Sequence, residues 1–155
     1  MDKIFAWFFA ILVAIIPWFE RFSPPLDVDK STASVISAFK TRDIAAIEAF
    51  MCKNIKDNVP DLKKKIGKMV DAVDGKISNS TTKSYEDFYV SKGAIHRSIS
   101  NSIIKTSVKT YYLDIRWETY NNFSFEERGI RYIELFIKSG GEYKLLFEIN
   151  ATEWN

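Results

Sequence analysis

Hydrophobic and polar positions change their period twice along this chain. Residues 4–19, IFAWFFAILVAIIPWF, form an uncharged run bounded by Asp2-Lys3 and Glu20-Arg21. From residue 29 to 75, apolar residues recur at helical spacing, as they must if one helix face is buried. Beyond residue 84 they alternate with polar ones, the signature of half-buried strands.

The first run is long enough for a short membrane span. Its exit, Pro17-Trp18-Phe19-Glu20-Arg21, offers none of the small residues a signal peptidase needs,. Residues 1–22 are therefore expected to be an uncleaved signal anchor, with cleavage and secretion as the alternative. Trp7, Trp18 and Phe22 suit the membrane interface,. Residues 23–30 follow as a linker stiffened by Pro24-Pro25, and 31–155 form one domain that faces away from the cytoplasm.

In the helical part, Asp29 or Ser31 is expected to cap a helix carrying Ala33, Val35, Ile36 and Phe39,. Asp43 can cap a second, with Ile44, Ile47, Phe50 and Met51 apolar. A third starts at Asn58-Val59-Pro60-Asp61 and carries the stripe Leu62, Ile66, Met69, Val70 and Val73,. Gly75 supplies a left-handed stop.

About four strands should follow. Residues 78–84 read as a loop or weak edge, Ser84–Val90 as a short strand, and His96 as lying between strands. Residues 103–120 read as one long strand with Tyr111, Leu113, Ile115 and Trp117 inward. Residues 123–138 form the next, bulged near Gly129. After Ser139-Gly140-Gly141, a hairpin signal, residues 143–152 should close the sheet with Tyr143, Leu145, Phe147 and Ile149 inward. Trp117 and Phe147 should meet Phe39, Phe50, Ile66 and Met69 between sheet and helices. Helices followed by consecutive antiparallel strands make an α+β fold with the helices on one sheet face.

Composition narrows the function. Twenty-two basic and 20 acidic residues give a net charge of +2, which offers no field for nucleic acid. Cys52 is the single cysteine, so no internal disulfide exists, and it reads as a small buried hydrophobe,. With one histidine, His96, a multi-histidine metal site is excluded. No metal or cofactor is expected. His96 near Asp87, and Asp114 with Arg116, are the best acid–base candidates. Each has a plainer reading: a surface histidine, and cross-strand ion pairs of Asp114, Arg116 and Glu118 in water. Sequons at Asn79, Asn122 and Asn150 are expected to stay unmodified.

The outward set is less bland. Tyr112, Asp114 and Arg116 on one strand, Tyr132, Glu134 and Phe136 on the next, and Leu146 on the last place aromatics among charges. That mixture marks interface centres with polar rims, so this face is the candidate contact surface for a second copy or a protein partner.

The run Ser31 to Asp43, with Ile47-Glu48-Ala49-Phe50 and Val73-Asp74-Gly75-Lys76-Ile77, resembles the bacterial family carrying domain of unknown function 5104. These are small exported proteins, many of them lipoproteins. The resemblance implies a nuclear transport factor 2-like, or cystatin-like, fold and no catalytic residues. The lipoprotein cysteine is missing here, which favours the helical anchor. The function expected is a noncatalytic, membrane-held extracytoplasmic binding module. A pocket enzyme or small-ligand receptor, and an immunity-type or assembly partner of a membrane complex, stand as alternatives.

Overall fold

The computed structural model describes residues 24–90 and 95–151; the expected anchor at 4–19 lies outside them. Among the described residues no helix is long and apolar enough to cross a membrane.

Four helices precede the sheet: α1 Val28–Thr41, α2 Ile44–Ala49, α3 Lys53–Asn58 and α4 Leu62–Asp71. Helix α1 begins inside the stretch read as linker. Its cap is Asp27, whose carboxylate accepts the Lys30 amide at 3.0 Å, rather than Asp29 or Ser31. The shift follows from how the chain enters: the Leu26 amide donates to the Thr119 carbonyl at 2.8 Å, so Asp27 is already held at the turn. Asp43 caps α2 as expected, accepting from the Ala46 amide at 2.9 Å. Asp61 stands at the start of α4 but makes no side-chain cap there.

The sheet has five strands: β1 Ile77–Val90, β2 Ile95–Thr106, β3 Thr110–Asn121, β4 Gly129–Ser139 and β5 Glu142–Asn150. They pair antiparallel in sequence order, and the sheet is open. The helices cover one face. Between the layers lie Ile47, Ile55, Ile66 and Met69 from the helical side, and Tyr111, Leu113, Ile115, Trp117, Ile133 and Ile149 from the sheet. Trp117 has no exposed surface and meets the Phe50 ring edge-on at 6.1 Å. Phe147 packs at the margin of this core, half-buried.

The fifth strand is the main departure from expectation. Residues 95–102 form most of β2, so His96 lies within a strand. Its inward positions are Ser98, Ser100 and Ser102, all buried, which hides the apolar alternation. Ser100 and Ser102 are tolerable because they find partners. Ser100 accepts from Thr32 at 2.9 Å and from Trp117 Nε1 at 3.0 Å, and Ser102 bonds Thr82 at 2.9 Å; a satisfied hydroxyl carries little burial penalty.

The long strand expected over 103–120 is broken at Ser107-Val108-Lys109, which lacks glycine, proline and asparagine. Thr106 replaces their effect: its hydroxyl oxygen accepts the amides of Val108 and Lys109 at 3.1 and 2.9 Å. Residues 78–84 belong to β1, a single 14-residue strand. Strand β4 starts at Gly129, not at Phe123, because a short 3-10 turn occupies Phe125–Glu127.

Gly129 has φ +135° and is required there. A Cβ on it would lie 2.4 Å from the Phe50 carbonyl oxygen. That close approach lets Cys52 N donate to Ile130 O at 3.0 Å and Ile130 N to Phe50 O at 2.7 Å, so the helical layer is hydrogen-bonded directly to the sheet.

Candidate functional site

The outer face of the sheet, away from the helices, collects most of the residues expected there. Tyr112 pairs with Phe136 across β3 and β4, Asp114 with Glu134, and Arg116 with Tyr132. The charges are partly used inside the face. Asp114 accepts from Asn101 Nδ2 at 2.8 Å, and the Arg116 guanidinium lies 5.0 Å from the Tyr132 ring centre, a cation–π distance. Burial, then a hydrogen bond with Glu134, push the Tyr132 phenol well above its ordinary range. Tyr132 therefore stays a neutral donor at any physiological pH.

Leu146 does not belong to this face. It packs against the core, because the β4–β5 register shifts between Leu135 and Phe136: Leu135 pairs with Phe147 but Phe136 with Leu145. The extra residue reverses the strand's faces. Tyr143 and Leu145, expected inward, are consequently exposed at 58% and 43%. Tyr143 meets Tyr112 edge-on at 4.7 Å, so it takes the place assigned to Leu146. The consecutive apolar residues Leu145-Leu146-Phe147 break a period of two, and that break was the available signal for the bulge.

Glu118 is the second correction. Alternation places it outward beside Arg116, yet it is fully buried. Two bulges cause this, one between Arg116 and Trp117 against β4 and one between His96 and Arg97 against β3. Arg131, the extra residue on β4, reaches Glu118 at 2.7 Å, Arg97 approaches at 3.5 Å, and Asn121 Nδ2 donates at 2.6 Å. Asn121 in turn accepts the amides of Phe123 and Ser124 at 2.8 and 3.0 Å. This network organises the β3–β4 connection. Arg128 stacks beside it, 4.8 Å from the Tyr120 ring and 4.7 Å from Phe125.

His96 lies tilted against Tyr120 at 5.3 Å, and β1 brings Tyr89 opposite it. Cys52 is buried, and that burial pushes its thiol up, so it is a poor nucleophile. Among the described residues no group of three or more His, Cys, Asp or Glu could hold a metal ion. A cavity of about 430 Å³ opens between α1, α4 and β1, with Phe39, Val70 and Val73 inside and Lys40, Arg42 and Lys76 at its rim. A wider groove of about 760 Å³ lies at the β2–β3 and β4–β5 turns.

A family model described as Domain of unknown function (DUF5104) matches residues 34–139. No curated protein matches the chain.

Proposed function

The chain belongs to the DUF5104 family, and from that premise we propose that it is a noncatalytic binding module held at the outer surface of a cell membrane by residues 4–19. Its working surface is the outer sheet face, and its occupant is a second copy or a protein partner. The observation that carries the reading is the apolar cluster on that face: exposed Tyr143 and Leu145 lie beside half-buried Tyr112, Tyr132 and Phe136, ringed by Asp114, Arg116 and Glu134. Apolar centres with polar rims are what interfaces require. The reading includes a nuclear transport factor 2-like fold, supported by helices that precede an antiparallel sheet and cover one of its faces.

The anchor rests on the uncharged run at 4–19, and Lys3 ahead of it favours a cytoplasmic N-terminus with the domain outside,. Carbonate extraction, with mass spectrometry of the mature N-terminus, tests it; a soluble product beginning near residue 23 or later refutes it. The face is tested by cross-linking and capture from the native membrane with the full chain. Tyr132→Glu with Phe136→Glu should abolish self-association or capture while near-ultraviolet circular dichroism stays native. Unchanged capture by that folded variant eliminates this face.

A further inference from the structure

We infer that the groove at the β2–β3 and β4–β5 turns grips an extended acidic peptide segment of a partner protein, one that carries apolar residues between its carboxylates. The inference rests on the binding-module reading and gives its partner a chemistry.

Among the described residues, Lys105, Lys109 and Lys138 line the groove and no carboxylate does. The chain's net charge is only +2, so this is local segregation of charge that the composition conceals. Lys109 is only loosely paired, its Nζ 4.0 Å from Asp74. Lys138 lies 5.5 Å over the exposed Tyr143 ring. Between these cations the groove mixes the hydroxyls of Ser78, Thr106, Ser107 and Thr110 with apolar surface from Ile103, exposed at 37%, Val108 at 57%, and Tyr112. Lysines around exposed aliphatic side chains fit an amphiphilic anion.

The spacing selects a peptide. Ile103 and Lys105 are two apart on one strand and stand on the outer face, about 6.6 Å apart along it. An extended peptide repeats its side chains on one side at the same interval, so an apolar and an acidic residue separated by one position match this pair. The wall is preorganised, which lowers the ordering cost of binding. The Thr106 hydroxyl holds the turn, and Ser107 N donates to Lys76 O at 3.1 Å.

Position argues against a lipid surface. The described chain enters at Leu26, bonded to Thr119 near the end of β3, whereas the groove contains Thr110 at its start. Nine residues of strand separate them, about 30 Å. A module tethered through its N-terminus would present this groove away from the membrane.

The test uses the full chain in detergent micelles and a fluorescein-labelled peptide of repeating Leu-Ser-Glu-Ser, followed by anisotropy. The glutamate peptide should bind, and its lysine counterpart should not. Lys105→Glu, Lys109→Glu and Lys138→Glu together should weaken binding about tenfold, the sum of three rim charges. Ile103→Ser should weaken it about threefold at constant salt, from lost apolar contact. Equal binding of the two peptides by the wild-type chain, or unchanged affinity in the folded triple variant, overturns the inference. So does lysine-dependent binding to phosphatidylglycerol vesicles without peptide binding. If the peptide fails while Tyr132→Glu with Phe136→Glu still abolishes capture of native partners, this inference falls and the broader reading stands.

Discussion

Replacing Trp117 by alanine should remove the cooperative melting of this domain. Its side chain is fully buried between β3 and the helical layer, touches Phe50 edge-on, and donates to Ser100. Truncating a core Trp costs about 3–5 kcal/mol, and loss of an edge-on aromatic pair accounts for about 0.5–1.5 kcal/mol beyond area burial. The hydrogen bond adds little, because Ser100 keeps Thr32 as a donor. The cavity therefore dominates. A cost of about 4–5 kcal/mol is about a quarter or more of the roughly 5–15 kcal/mol that holds a domain folded. Trp117→Phe keeps most of the ring and should cost only about 1–2 kcal/mol, lowering the Tm by roughly 3–10 °C for a domain of this size. Thermal scans by near-ultraviolet circular dichroism of the full chain in detergent separate the two variants. A Trp117→Ala melting curve that superimposes on the wild type would refute the packing argument. Equal losses in the two variants would show that the indole N–H, not the volume, matters.

Gly129→Ala should destabilise by about 1–3 kcal/mol or more, because it meets both a positive φ and the Phe50 carbonyl,; chemical denaturation midpoints measure it, and a neutral result removes the proposed tie between helices and sheet. Glu118→Ala should cost about 3–5 kcal/mol by leaving Arg131 and Arg97 beside a buried void,, while Glu48→Ala, whose partner Lys63 is largely exposed, should change the midpoint little. Cys52 should resist maleimide until the chain unfolds. Its folded thiol titrates above the ordinary value of 9.0, so the native state holds a proton the unfolded state releases, and stability should fall as pH rises past about 9. Cys52→Ala should flatten that alkaline slope; an identical slope refutes the assignment.

Much of the fold was legible because helices and exposed strands obey one-dimensional periods. The stripe Leu62, Ile66, Met69 and Val70 is buried as its spacing requires, and Tyr111 to Trp117 alternate inward as expected. Asp43 caps its helix through its own side chain. These features depend on neighbours a few residues apart, and the sequence states those directly. The outer-face residues Tyr112, Arg116, Tyr132 and Phe136 were legible for the same reason.

What the sequence could not decide were outcomes of partners distant in the chain. Ser100 and Ser102 hide the apolar alternation of their strand until Thr32, Trp117 and Thr82 satisfy them across the fold. Glu118 reads as solvated until two bulges bring Arg97 and Arg131 over it. One extra residue in β5 sends Leu146 to the core and Tyr143 and Leu145 to the surface. The three lysines of the groove lie on separate segments and acquire a common field only when two turns meet. Composition averages such charges over the chain, but Coulomb interactions depend on distance, and only the tertiary structure sets those distances.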